Sequence, residues 1–274
     1  MSAVSVTAII VSYQTGPRLK ECLYALAGDP EISDIILVDN GNPSDMQAWL
    51  DQFAAAREGV EILRGQGNIG FGAAVNLAIS KAAGPHILVL NPDAVLRRKS
   101  ISELQTAALA CKEPWIIGGR IFDLFGLEER GARRKELTLW RAVTSMMGWN
   151  TWTLERAPAP AGPIDMPVIS GAFFLTSKAS MADLRGFDEA YFLHVEDVDL
   201  CRRCREAGGH VMYHPGAGAL HYGSTSEAPS AQVARHKADS LAHYFKTFAS
   251  GPAERLVVFL AMPVMRLAIA LARR

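Results

Sequence analysis

Acidic residues placed directly after apolar runs are the side chains of this chain best able to do chemistry. The run Ile87-Leu88-Val89-Leu90 ends in Asn91-Pro92-Asp93. Aliphatic residues without alternation suit a strand covered on both faces, as in a parallel sheet, and Pro92 cannot continue its ladder. A carboxylate delivered to the carboxyl end of such a strand is positioned to meet a ligand or the ligand's metal ion. The same tripeptide is ordinary turn chemistry, so both readings stand on this segment alone. Asp39 repeats the pattern after Ile35-Ile36-Leu37-Val38. Further on, Glu196, Asp197 and Asp199 crowd together with Arg202 and Arg203. Asp199 and Arg203 have the spacing of a helical ion pair, and carboxylates at a helix start are favoured by its dipole whatever else they do. His221 is a single imidazole whose role depends on what the fold brings beside it.

The elements that must position these groups alternate. Val4–Tyr13 reads as a strand, followed after Gly16-Pro17 by Leu19, Cys22, Leu23 and Leu26 at helical spacing. The Asp39 strand leads to a helix carrying Met46, Trp49, Leu50 and Phe53; a third strand, Val60–Leu63, leads to a helix over Ala73–Ala82 and then to the Asp93 strand. Three β/α units predict a parallel, right-handed, doubly wound sheet. A helix over Ile101–Ala110 and a strand around Trp115–Ile121 follow. The stretch Leu124–Pro167 is charged and aromatic (Glu128, Glu129, Arg133, Arg134, Trp149, Trp152), with Leu137, Trp140, Val143 and Met147 forming one apolar stripe that reads as a core face. An ordered pattern returns over Val168–Leu175, and a strand over His210–His214 follows the helix implied by Asp199–Ala207.

Gly65-x-Gly67-x-x-Gly70 has the spacing of a dinucleotide fingerprint, but it follows the third strand. The first strand meets Ser12-Tyr13-Gln14-Thr15-Gly16-Pro17, which lacks the glycines that admit a pyrophosphate to a helix N-terminus. The glycines still let backbone approach a ligand, and Asn68 supplies a polar group there.

Composition narrows the classes. The 274 residues carry 28 basic and 28 acidic side chains, so no global field draws the chain to nucleic acid. Cys22, Cys111, Cys201 and Cys204 make no disulfide framework, and the first residues lack a signal-peptide pattern, so a cytoplasmic location is expected. Cys201-Arg-Arg-Cys204 has metal or redox spacing, yet without a second pair it reads as two packed thiols. Leu256–Leu271 is apolar but broken by Pro263 and Arg266 and followed by Arg273-Arg274; it is short for a membrane span and suits an interfacial helix or one packed on the domain.

Asp39, Asn91-Pro-Asp93, Gly186-Phe-Asp-Glu189, Glu196-Asp197-Val-Asp-Leu-Cys-Arg-Arg203 and His221-Tyr-Gly-Ser224 occur in one order across roughly Val6–Phe248. Together they resemble an inverting family 2 glycosyltransferase of the GT-A fold, most similar to the bacterial rhamnosyltransferase-like branch. The resemblance implies an α/β domain over residues 1–250, with a nucleotide-sugar half (1–122), an acceptor and catalytic half (123–250), and an amphipathic C-terminal helix over 251–274. It implies that Asp39 contacts the nucleotide base, that Asp93 and His221 ligate a Mg2+ or Mn2+ ion on the donor diphosphate, and that Asp197 is the general base. Many relatives carry an acid where this chain has Asn91, which weakens the metal motif. Ser12, Asn68, Asn91 and Arg203 join Asp39 and Asp93 as candidate donor contacts.

The expected reaction moves a sugar, plausibly rhamnose, from a dTDP- or UDP-sugar to a glycan or lipid-linked acceptor of a bacterial surface polysaccharide, with contact to the inner face of the membrane. A cation between the diphosphate oxygens would neutralise the leaving group. The base narrows to two residues: Asp93 belongs to the metal side, Asp199 can be neutralised by Arg203, and Asp188 and Glu189 sit in a turn. That leaves Glu196 and Asp197; the resemblance favours Asp197, with Glu196 orienting the acceptor or tuning its neighbour. The rivals are a sugar nucleotidyltransferase, for which Gln14–Arg18 is a poor triphosphate loop, and an inactive nucleotide-sugar-binding subunit.

Overall fold

The computed structural model describes residues 4–129, 131–146, 154–155, 158–223 and 230–271. Met147, Trp149, Trp152, Ser224 and the pair Arg273-Arg274, on which the sequence reading drew, lie outside the described residues.

The leading part alternates as expected: β1 (Val6–Ser12), α1 (Arg18–Ala27), β2 (Asp34–Asp39), α2 (Ser44–Ala55), β3 (Val60–Leu63), α3 (Phe71–Lys81) and β4 (His86–Leu90). Among themselves these strands pair in parallel, with β1 between β2 and β4 and β3 outside β2. Ser12 stands opposite Asp39, so the chain leaves β1 and β2 at the same edge of the sheet. Ile9 and Val89 pack into the core on one face, Ile10, Leu88 and Leu90 into the core on the other. Burial on both faces is why these strands show no polar alternation.

The remainder comprises β5 (Ala94–Leu96), α4 (Ser100–Ala108), β6 (Trp115–Phe122), β7 (Arg133–Arg134), α5 (Leu139–Met146), β8 (Ile164–Asp165), β9 (Val168–Ile169), β10 (Phe173–Ser177), α6 (Lys178–Asp183), α7 (Glu196–Glu206), β11 (His210–His221), α8 (Ser230–Phe248) and α9 (Pro252–Leu271). The main sheet runs β3-β2-β1-β4-β10-β6-β11-β5, with β8 on β11; β7 and β9 form a separate ribbon. The sheet is mixed, because β10 lies antiparallel between β4 and β6 and β5 lies antiparallel to β11.

Two departures from the expected elements shape the site. The run Val168–Leu175 does not form one strand; it splits at Ser170-Gly171-Ala172, whose backbone turns to other partners. The strand expected to stop at His214 continues to His221. Pro215 cannot donate to a ladder, and the strand absorbs it in an irregularity between His214 and Gly218 before pairing again with β6 and β5.

Cys201 and Cys204 are buried and free, and burial pushes both thiols up to about 12, as inert packing thiols require. In the apolar stripe, Leu137 and Val143 pack on the core while Trp140 is exposed. Helix α9 packs along α8 and touches α5, burying Val258 and Met265, and Arg266 pairs with Asp239 of α8 at 2.9 Å. Leu256, Val257, Phe259 and Leu260 of α9 remain exposed. Among the described residues no helix is long and apolar enough to cross a membrane.

Candidate functional site

The end of β11 and the start of β5 bring the first group together. His221 stands opposite Ala94 in the ladder, and the Tyr222 N–H donates to the Asp93 carbonyl at 3.0 Å. His221 Nε2 therefore lies 3.2 Å from Asp93 Oδ1 and 3.2 Å from Asn91 Nδ2, while Nδ1 lies 2.9 Å from Glu129 Oε1. Burial opposes charge on this imidazole, but hydrogen bonds and charge from Asp93 and Glu129 outweigh it and raise its pKa to about 9. The corner is braced from α1: the Tyr222 hydroxyl donates to Glu21 at 2.7 Å, and the Arg18 guanidinium stacks 3.8 Å from the Tyr222 ring centre.

A second group sits at the start of α7. His194 (φ 67°) and Val195 (φ 73°) both adopt left-handed backbone, a costly conformation for a β-branched residue, and this abrupt entry sets Glu196 and Asp197 on the first turn. The Asp197 carboxylate accepts from Arg134 and from the Gly171 N–H (2.9 Å) on Oδ2, and from the Val198 N–H (2.8 Å) on Oδ1. Glu196 is 7% exposed, and its Oε2 has no hydrogen-bond partner among the described residues. Burial first, and the neighbouring Asp197 charge second, push its carboxyl up to about 8. The two groups are joined by the Gly171-Ala172 break: Gly171 donates to Asp197, and the Ala172 carbonyl accepts from the Asn91 N–H at 2.8 Å.

Arg203, expected as a donor contact, is engaged by its own chain. Its Nε donates to Asp199 at 2.6 Å, and its other nitrogens donate to the carbonyls of Leu184 and of Gly186 (3.0 Å). It closes the turn before the Gly186-Phe-Asp-Glu189 segment. In that segment Asp188 pairs with His243 of α8 at 2.7 Å.

Between these elements lies a cavity of about 520 Å³ lined by Tyr13, Thr15, Asn40, Asn68, Phe71, Asn91, Asp93, Phe192, His194, His221 and His236. Asn68, Asn91 and Asp93, three of the expected donor contacts, thus meet at the cavity. Ser12 and Asp39 are buried and do not line it. Ser12 bonds Thr15 and Asn42, and Asp39 accepts from Gly41, Asn42 and Arg64, so its carboxylate organises the loop after β2. Gly70 (φ 86°) explains the last glycine of the fingerprint-like loop: a Cβ there would sit 2.5 Å from the Phe192 carbonyl oxygen, where α3 meets the chain entering α7.

Glu129 and Arg134 carry no site signal in the sequence, because each finds its partner far along the chain. Tyr13, Asn40, His194 and His236 likewise carry no spacing signal.

Among the described residues no three or more His, Cys, Asp or Glu side chains cluster to hold a metal ion by themselves. Asp93 and His221 still suit a shared site. Their facing atoms stand 3.2 Å apart, close to the separation of adjacent ligands around an ion with bonds of about 2.1 Å, and a divalent ion on a diphosphate draws its other ligands from phosphate and water. One carboxylate and one imidazole fit manganese better than magnesium.

Comparison with known proteins gives the family and the fold. The model of glycosyl transferase family 2 matches residues 7–185. The chain is 30% identical over 250 residues to an N-acetylglucosaminyl-diphospho-decaprenol L-rhamnosyltransferase of Mycobacterium tuberculosis, covering 83% of this chain and 80% of that protein. It is 26% identical over 225 residues to the rhamnosyltransferase WbbL of Escherichia coli, covering 78% and 82%. Among solved structures, GalNAc-T7 with UDP, GalNAc and Mn2+ is similar in fold, with a TM-score of 0.67 at 14% identity; the alignment takes in 93% of this chain and about half (52%) of that one. The mannosyltransferase PcManGT of Pyrobaculum calidifontis with GDP-Man and Mn2+ has a TM-score of 0.61 at 14% identity, covering 97% and 73%.

Proposed function

The chain belongs to glycosyl transferase family 2, and from that premise we propose that it transfers rhamnose from a nucleoside-diphosphate donor, dTDP- or UDP-linked, to a lipid-linked or glycan acceptor with inversion at the sugar. One observation carries the reading: a carboxylate–imidazole pair suited to a diphosphate-bound cation and a separate carboxylate at a helix start are tied together through two consecutive residues, Gly171 and Ala172.

The donor occupies the cavity, with Asn40, Asn68 and Tyr13 available to the nucleoside and Asn91, Asp93 and His221 to the diphosphate end. Asp93 and His221 would hold a Mn2+ or Mg2+ ion, which would supply charge neutralisation for the departing diphosphate. Asp197 takes the proton of the acceptor hydroxyl as its oxygen attacks the anomeric carbon. The nucleoside diphosphate leaves from the opposite face with the bonding electron pair, so the new linkage has the inverted configuration. Glu196 is kept protonated near neutrality and orients the acceptor beside Asp197. Arg134 and the Gly171 N–H fix the Asp197 carboxylate so that its position is set before the acceptor arrives.

Peripheral contact with a membrane suits a lipid-linked acceptor. The exposed Leu256, Val257, Phe259 and Leu260 of α9, with Arg255 and Arg266 also exposed on that helix, supply apolar area and positive charge for it.

The test is an assay of dTDP-rhamnose and UDP-sugars against a polyprenyl-diphosphate-linked acceptor, with the anomeric configuration of the product read by NMR. Rhamnose transfer with inversion supports the proposal; retention of configuration overturns the mechanism, and transfer of another sugar overturns the donor assignment.

A further inference from the structure

His221 presents one ring nitrogen to Asp93 and the other to Glu129, at 3.2 and 2.9 Å. We propose that Glu129 is a positioning residue: it accepts the Nδ1 proton of His221 and thereby turns Nε2, as a lone pair, toward the cation that Asp93 helps to hold. The inference rests on the reading of Asp93 and His221 as cation ligands and adds a residue outside that pair.

The reasoning starts from the ring itself. A neutral imidazole carries one N–H and one lone pair, and only the lone pair can bind a cation. Which nitrogen has the lone pair is decided by what the other one meets, and a carboxylate on Nδ1 assigns it to Nε2. An unsupported histidine at the end of a strand could rotate about its side-chain bonds or adopt the other tautomer. Glu129 removes both freedoms.

For that role the carboxylate must itself be fixed, and it is. The Glu129 N–H donates to the Ile121 carbonyl at 2.8 Å, and its carbonyl accepts from Ala132 at 3.1 Å. The preceding residue, Glu128, bridges back to Phe122 and receives both Nε (2.7 Å) and Nη2 (3.2 Å) of Arg133, a nearly buried side chain. Upstream, the Asp123 carboxylate accepts from the N–H groups of Phe125 and Leu127, fixing the turn that delivers the segment. Glu129 therefore reaches His221 from a braced turn. A surface ion pair formed by chance would not need that support.

The experiment measures Mn2+ binding to the full chain by electron paramagnetic resonance of the free ion, in the presence of dTDP and separately of UDP. Glu129→Gln keeps the size of the side chain but removes the charge and the unambiguous acceptor, and it should weaken Mn2+ binding by roughly 10- to 100-fold, the scale of lost outer-sphere carboxylates. Asp93→Ala should abolish binding. The thermal midpoint without metal, read well above pH 9 where the imidazole is neutral in both proteins, should stay close to that of the wild type, which separates positioning from a merely structural ion pair. Should Glu129→Gln not fold, Glu129→Asp, whose shorter carboxylate falls away from Nδ1, replaces it with the same expected direction. Wild-type Mn2+ affinity in the Glu129 variant, with binding lost in Asp93→Ala, overturns the role of Glu129 alone. Unchanged binding in Asp93→Ala and His221→Ala overturns the cation reading and this inference with it.

Discussion

Arg134 donates to the same Asp197 oxygen that accepts the Gly171 N–H, so one carboxylate oxygen is held by two donors while the other accepts the Val198 N–H at the helix start. The carboxylate is thereby aimed as well as charged. Asp197→Asn keeps the shape but cannot take a proton, and turnover should fall roughly 100-fold or more while donor affinity stays unchanged. Steady-state kinetics beside calorimetric titration of the donor nucleotide checks this. Near-normal turnover in Asp197→Asn, with Glu196→Gln inactive, would move the base to Glu196.

Glu196 also predicts a pH dependence of stability. Its native pKa is raised to about 8, whereas in the unfolded chain it titrates in the ordinary carboxylate range. Between those limits the native state holds a proton that the unfolded state has lost, so stability falls as pH rises through the window and levels off above it. His221, raised to about 9, adds a decline of the same sign from its ordinary value near 6.5 upward. Urea midpoints from about pH 6.5 to 9 should slope downward, and Glu196→Gln should make the slope shallower up to about 8 while leaving the His221 part. An identical slope in both proteins would show that Glu196 does not carry the proton.

Arg203 should behave as a structural residue. Its partner Asp199 has a side chain only 2% exposed, and Arg203→Met leaves that charge with the Tyr191 hydroxyl at 3.4 Å. The loss should be about 3–5 kcal/mol of stability, the usual cost of breaking a buried pair. Folded enzyme, obtained at low temperature, should keep its donor KM. An unchanged denaturation midpoint with a raised KM would return Arg203 to the donor site.

Much of this arrangement is legible in the chain, and the remainder is not for a definite reason. Unbroken apolar runs announce β1, β2 and β4, because burial on both faces removes polar residues, and the acids that follow β2 and β4 mark one end of the sheet. The helical spacing of Asp199 and Arg203 announces their pair, which the structure forms at 2.6 Å. What local pattern cannot carry is pairing across long separations: Glu129 with His221, Arg134 with Asp197, and β10 with both β4 and β6. Nor does it reveal that β11 passes Pro215, since the signal that ends most strands is here absorbed by an irregularity. Asp39 illustrates a further limit, for position told where its carboxylate lies but not that Asn42 and Arg64 would occupy it.

The outward face of α9 yields a prediction separable from folding. Because Val258 and Met265 are buried, deleting the whole helix would uncover core, whereas Leu256 and Phe259 are 58% and 74% exposed. Replacing both with glutamate should leave the thermal midpoint unchanged and reduce cosedimentation with vesicles containing anionic lipid. Equal sedimentation of the two proteins would remove membrane contact from this face.

The antiparallel strand at the centre of the sheet has a consequence for biosynthesis. As the chain leaves the ribosome, β1 to β4 can assemble early, but the free edge of β4 is filled only by Phe173–Ser177, roughly eighty residues later. At the usual pace of about 5–20 residues per second, an apolar strand edge stays open for several seconds. An edge of that kind is where a neighbouring nascent chain can add a strand of its own. Yield in a heterologous host should therefore depend on translation speed across that interval and on chaperones that shield β4 until β10 arrives.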